Sequence, residues 1–179
     1  LEDLATACAL LKQRGVEFRL VLVGTDNAAG PVRSTIAQRI KEIVTSHGFI
    51  SWLIMPGRVS NSVSNQYESL IDIAVFPHRA SPVCDMVAPA KPLEALAMQK
   101  AVVVSNVAAL AEMVADGLTG CVFEKGNVQS LAQGLQELIG DRQRIQELGR
   151  EGRAWVCEKR SWRQIGTIFA ELVQENLAT

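Results

Sequence analysis

Apolar residues follow two rhythms along this chain. Some come in short unbroken runs: FRLVLVG (Phe18–Gly24), IDIAVFP (Ile71–Pro77) and AVVVS (Ala101–Ser105). Such runs predict strands buried on both faces. Two further strands are expected at Trp52–Val59, broken late by Pro56-Gly57, and at Gly120–Phe123. Elsewhere apolar residues recur three and four apart. Leu4, Ala7, Cys8 and Leu11 line one face of a helix over Leu1–Arg14, which Gly15 ends. Further helices are expected over Val32–His47, Pro92–Gln99, Val107–Ala115, Val128–Ile139, Arg142–Trp155 and Ser161–Leu177. Strands alternating with helices predict an α/β domain, a parallel sheet with helices on both faces.

Ligands of such sheets sit at the carboxyl ends of the strands. The residues expected there are Gly24-Thr25-Asp26, Gly57-Arg58-Val59, Pro77-His78-Arg79, Ser105-Asn106 and Glu124-Lys125-Gly126. Composition narrows the choice of ligand. The 179 residues suffice for one domain with a core, and a net charge of −1 gives no basic excess for nucleic acid or an anionic membrane. Hydrophobic residues make up 48% of the chain, yet no apolar run approaches the roughly 20 residues that span a bilayer. Cys8, Cys84, Cys121 and Cys157 are scattered without CxxC spacing, and His47 and His78 are the only histidines. This predicts reduced thiols and a cytoplasmic location, with neither a disulfide frame nor a metal centre.

Lys91-Pro92-Leu93-Glu94 opens a helix, with Pro92 suited to its first turn. Glu94 then has two readings. It can favour the helix dipole and cap a free N–H. It can also offer two acceptor oxygens to the vicinal hydroxyls of a ribose, while free N–H groups of the same helix meet a diphosphate. Asp85, in the loop SPVCDMVAPAKP, is either polar surface or a contact to a sugar beside that diphosphate. Arg79 or Lys91 could neutralise phosphate charge, with His78 beside Arg79 at the strand end. Neither GxGxxG nor a Walker A sequence is present. The segment GREGRAWVCEKRSW mixes arginines with tryptophans, but its glutamates favour a salt-bridged helix surface over a nucleic-acid site.

From Phe18 to Trp162 the chain resembles the nucleotide-sugar-binding half of retaining glycosyltransferases of family 4, which have the GT-B fold. FRLVLVG is similar to that family's strand ending in glycine, and MPGRV to its next strand and turn. YESLIDIAVFPHR, PAKPLEALAMQKAVVVSNVAALAEMV, DGLTGCVFEKGN and the late RSW follow in the family's order.

The resemblance implies a Rossmann-like parallel sheet and transfer of a sugar from a nucleotide diphosphate sugar to a hydroxyl acceptor, with retention. Glu94 would hold the ribose, backbone at Met86, Val87 and Ala88 the diphosphate, and Arg58 and Val59 the base. Lys91, Arg79 and His78 complete the donor-binding set. Asp85 takes the catalytic place near the donor sugar. Here the chain departs from the family: an aspartate stands for a glutamate, at a spacing one residue longer. No cofactor or metal is implied, since no DxD motif is present to hold a cation. The acceptor-binding half and the domain's own first strand are expected outside residues 1–179. The chain alone should therefore transfer no sugar. Its sheet should carry a central gap, met by rearranged pairing, by another chain or by self-association. The parent enzyme would work in the cytoplasm or at the inner face of the membrane. Two other readings remain. One is a sugar-nucleotide-binding scaffold without activity. The other is a receiver-like signalling domain, with Ser105 and Lys125 as its switch residues, although Asp26 stands alone and Asp72 begins its strand.

Overall fold

The computed structural model describes residues 1–24 and 36–177. Thr25, Asp26 and the first turn expected for the second helix lie outside them. The chain opens with α1 (Glu2–Gln13), whose first turn carries Glu2 and Asp3. Gly15 ends the helix at φ 75°, where its N–H reaches Lys12 O and that of Val16 reaches Leu11 O. A side chain would be strained at that φ, so glycine is the residue that fits. β1 (Leu20–Val23), α2 (Ile36–Ser46), β2 (Leu53–Gly57), α3 (Asn61–Leu70) and β3 (Ile73–Phe76) follow. Next come α4 (Pro82–Met86), α5 (Lys91–Ala97), β4 (Ala101–Ser105), α6 (Ala108–Ala111) and β5 (Cys121–Phe123). The chain closes with α7 (Val128–Gly140), α8 (Arg142–Lys159) and α9 (Trp162–Leu177).

All strand pairs are parallel, but they form two sheets. β1 pairs with β2, Leu20 opposite Leu53, with a register shift between Val21 and Val23. β3 pairs with β4, Ile73 opposite Ala101, and β4 with β5, Val103 opposite Cys121. Pro56 lies inside β2, which among the described residues has a strand partner on one side only. A residue without an N–H is tolerated on such an edge. The pairing is not rearranged. Each strand lies beside its neighbour in ordinary parallel register, and the sheet is in two pieces.

Side chains alternate between two cores. Leu20, Ala101, Val103 and Phe123 join α1, α2 and α7, while Ala74, Val102 and Val104 join α5, α6 and Val156 of α8. Helices thus cover both faces. α8 approaches closely through glycine: a Cβ on Gly149 would lie 2.3 Å from Gln99 O, and one on Gly152 2.5 Å from Leu96 Cδ2. Arg153 donates to Ala97 O and Arg144 to Gly117 O, so these arginines close turns. Glu147, Glu151 and Glu158 pair with Arg144, Arg150 and Lys159, as expected of a salt-bridged surface.

Two elements escaped the reading of apolar spacing. α3 has weak apolar spacing and no buried residue. α4 lies in the stretch expected as loop, where Ser81 Oγ accepts from Cys84 N–H and caps it. The helix expected over Val107–Ala115 is shorter. It ends at Ala111, and Thr119 Oγ1 takes the N–H of Ala115. The cysteines are free thiols, and burial pushes Cys8 up to about 12. No described helix is long and apolar enough to cross a membrane.

Candidate functional site

The carboxyl ends of β2, β3 and β4 gather most of the sequence-predicted residues. Arg58 and Val59 follow β2, with Arg58 exposed and Val59 half-buried. α5 starts after the turn 87–90, and Pro92 and Leu96 are buried beneath it while Lys91 and Glu94 face out. Glu94 forms no cap: its backbone N–H bonds to Ala90 O, and its carboxylate has no hydrogen-bond or ion-pair partner among the described residues. Its place in the first turn suits the helix dipole, but the cap of the first reading is not formed among the described residues. Backbone N–H groups of Ala88, Ala90, Lys91 and Leu93 also lack an acceptor among the described residues. Unpaired donors followed by an exposed carboxylate leave room for a ligand that brings both acceptors and hydroxyls.

Glu68, on α3, lies within electrostatic reach of this group. Burial holds its carboxyl above the usual range, the Glu94 carboxylate adds to that, and Lys91 pulls the other way. Sequence reasoning passed over Glu68, since helix spacing alone did not reveal α3.

Asp85 sits exposed in α4, with its N–H bound to Ser81 O. Met86 and Val87 are 76% and 58% exposed, and Ala88 is exposed as well. Large apolar side chains open to solvent beside unpaired N–H groups mark this turn as unfinished surface. Arg79 behaves differently from the free cation expected. Its Nε donates to Asp3 Oδ2 at 2.9 Å and its Nη2 to Asp3 Oδ1, a fork that joins the end of β3 to the first turn of α1. The guanidinium holds the Asp3 carboxyl below its ordinary value.

Among the described residues, two buried polar atoms at these strand ends have no partner: His78 Nδ1 after β3 and Ser105 Oγ at the end of β4. Ser105 is fully buried. Beside it, Asn106 Oδ1 accepts the N–H of Lys125, and Asn106 N–H reaches Phe123 O. This ties the ends of β4 and β5 together. A phosphorylation switch would need the Ser105 hydroxyl accessible, so the receiver-like reading loses its motivation. The strand-end rule pointed to Ser105 and Asn106, but residue type gave neither a role.

A cavity of about 490 Å³ lies between β5 and α7, lined by Val103, Phe123, Gln129, Gly134 and Glu137 among others. None of the predicted residues reaches it. It carries no cation among its lining residues, so charge favours the α5 edge as the site.

Residues 1–141 match a family model described as "Glycosyl transferases group 1". A lipopolysaccharide 1,2-N-acetylglucosaminetransferase of Salmonella typhimurium is 26% identical over 160 residues, covering 86% of this chain and 39% of that protein. The structure of sucrose-phosphate synthase from Thermosynechococcus elongatus superposes with a TM-score of 0.79 at 25% identity, covering 99% of this chain and 42% of that one. Anabaena HepE in complex with UDP-glucose superposes with a TM-score of 0.78 at 19% identity, covering 97% of this chain and 44% of that one. The chain thus spans about two fifths of the length of these relatives.

Proposed function

This chain belongs to the group 1 glycosyl transferases, and on that premise we propose that it is the donor-binding domain of a retaining enzyme of glycosyltransferase family 4. The single observation that carries the reading is Glu94. It is an exposed carboxylate in the first turn of α5, without a partner among the described residues, directly after a turn of N–H groups that also lack one there.

In this reading Glu94 accepts both hydroxyls of the donor's ribose. The backbone from Met86 to Ala90 receives the diphosphate, helped by the α5 N-terminus and the Lys91 ammonium. Arg58 and Val59 flank the base, and Asp85 stands near the donor sugar. No metal is needed to hold the diphosphate. The parent enzyme transfers a hexose. The bond from the anomeric carbon to the phosphate oxygen breaks, and its electron pair leaves with the nucleoside diphosphate. The acceptor's hydroxyl oxygen bonds to that carbon on the same face and gives up its proton. Positive groups at the diphosphate stabilise the charge that develops there. The acceptor is held by an N-terminal domain beyond these residues, so the chain alone transfers nothing. Proximity to an acceptor supplies a large share of catalysis. UDP-glucose in the HepE complex makes uridine nucleotide sugars the first donors to try. The thiols and the lack of a spanning helix among the described residues are compatible with work in the cytoplasm or at the inner face of the membrane.

Calorimetric titration with a panel of nucleotide sugars tests this. Glu94→Gln keeps the shape of the side chain but removes its charge and one acceptor. Hydrogen bonds to a charged group contribute roughly 1.5–3 kcal/mol each. Donor affinity is therefore expected to fall at least about tenfold. Folding stability should stay within about 0.5 kcal/mol, because the side chain caps nothing. Equal affinity in mutant and wild type would sink the assignment.

A further inference from the structure

The cavity between β5 and α7 takes no part in the donor reading, yet its walls are arranged in a consistent way. The floor is apolar: Val103, Phe123 and Leu131 are 2%, 7% and 0% exposed. The rim is polar, formed by the exposed Gln129, Gln133 and Glu137 of α7. These three lie four residues apart on one stripe of the helix, so they step along it about 6 Å at a time. Gln129 Oε1 accepts from Arg14 Nη2 at 3.1 Å, which leaves its NH2 group as a donor. Gln133 Nε2 donates to Glu137 Oε1 at 3.1 Å, which leaves Gln133 Oε1 and Glu137 Oε2 as acceptors. A second cavity, of about 620 Å³, shares Gln133 and Glu137 and continues to Gln136 and Asp141.

Gly134 keeps the first cavity open. It stands in the middle of α7, where glycine is the poorest helix former after proline. Gly149 and Gly152 of α8 have a packing reason, since Gln99 O and Leu96 Cδ2 lie against them. Gly134 has none of that kind: a Cβ there would meet nothing within 4 Å, and the residue itself lines the cavity. A position that gives up helix propensity without gaining a close contact breaks a local rule, and such breaks collect at functional sites.

The lining selects the ligand. It includes no lysine, arginine or histidine to hold a phosphate or a carboxylate. Among the described residues no group of acidic, histidine and cysteine side chains could hold a metal ion. An added peptide strand does not fit either. Val122 N–H donates to Asp116 Oδ1 at 2.8 Å, and Glu124 N–H is directed to Ser130 Oγ, so side chains of this chain already occupy the edge of β5. What remains is an apolar floor under a row of neutral donors and acceptors, with a single carboxylate.

We infer that the groove between β5 and α7 is a binding site for a neutral carbohydrate chain. The C–H faces of the sugar rings lie over Phe123 and Leu131, and their hydroxyls bond to Gln129, Gln133 and Glu137. A hydroxyl both donates and accepts, as this rim requires. The cavity's volume of about 490 Å³ is within the roughly 300–1,000 Å³ of small-molecule sites. This site is separate from the α5 edge and stands whether or not Glu94 binds a donor.

The experiment titrates the isotope-labelled 179-residue chain with maltohexaose, mannohexaose and the hexamer of N-acetylglucosamine, and with a heparin hexasaccharide as the charged control. At least one neutral sugar is expected to shift the amide signals of Cys121–Phe123 and Gln129–Glu137, with a Kd of about 1 mM or tighter. Gly134→Leu fills the space and should weaken this binding at least about tenfold, while the melting temperature holds or rises. Gln129→Ala combined with Gln133→Ala, both exposed and outside the core, should weaken it comparably. Glu94→Gln should leave it unchanged, which separates this site from donor binding. The absence of shifts with every neutral sugar overturns the inference, as do shifts confined to other residues. Binding of the heparin fragment alone overturns it too, and so does binding that survives both the Gly134 and the double glutamine variant.

Discussion

AVVVS and FRLVLVG look alike as sequence, yet they meet different surroundings. Every residue of β4 is buried, from 0% to 2% exposed at Ala101–Val104, with β3 and β5 on its two edges. In β1 only Leu20 is buried, and Val23 is 36% exposed. β3 is intermediate, with Ala74 alone buried among its residues. An unbroken apolar run states that a strand is to be buried on both faces. It does not state that both edges are filled. Burial of a central strand depends on its neighbours as much as on its own composition, and the contrast between β4 and β1 measures how much.

The sharpest way to break this contrast is to damage the packing around β4. Gly149 lets α8 approach the turn that leads into β4, since an added Cβ would lie 2.3 Å from Gln99 O. Backbone cannot yield as a side chain does, so Gly149→Ala is expected to cost about 3 kcal/mol despite its better helix propensity. Gly134, in α7, has nothing within 4 Å. There the same change should gain up to about 1 kcal/mol. Urea melts of both variants decide. Equal effects would mean that α8 is free to shift and that the β4 half is no tighter than the rest.

Next in size is a paired truncation. Val104 is fully buried in β4, whereas Val23 ends β1 with a third of its surface open. Losing two methyl groups at Val104 removes their transfer energy and leaves a cavity, about 2 kcal/mol in all. Val23→Ala should cost less than about 1 kcal/mol.

Much of this was legible in the chain. Long apolar runs and helical spacing gave the α/β class, the strands and most helices, because burial in a covered parallel sheet demands those patterns. α3 and α4 left weak traces: one is an exposed polar helix, and the other depends on a single serine cap. Pro92 and the position of Glu94 placed the carboxylate in the first turn of α5, but its lack of a cap partner is a matter of side-chain direction, which spacing does not carry. Arg79 read as a free cation because its partner Asp3 is far away in sequence. Glu68 escaped for the same reason, since its closeness to Glu94 arises only when α3 and α5 meet.

The smallest expected effect lies in the link between the two halves. Asp3 in α1 and Arg79 after β3 join helix and strand across the gap. The arginine's hydrogen bonds hold the Asp3 carboxyl below its ordinary value in the folded protein. A carboxyl depressed on folding stabilises the native state above its unfolded value, and that contribution is lost as pH falls through the folded value. Arg79 is 64% exposed, so water screens the pair and it contributes about 1 kcal/mol or less. Asp3→Asn should therefore lower stability by up to about 1 kcal/mol at pH 7. The difference should shrink as pH falls from the ordinary carboxylate range through the lowered folded value, and vanish once the wild-type carboxyl is also neutral. Urea melts across that range give the curve directly. A deficit that does not shrink as pH falls would mean that Asp3 acts through shape rather than charge. No deficit at pH 7 would mean that the two halves are held together by α1's apolar face alone.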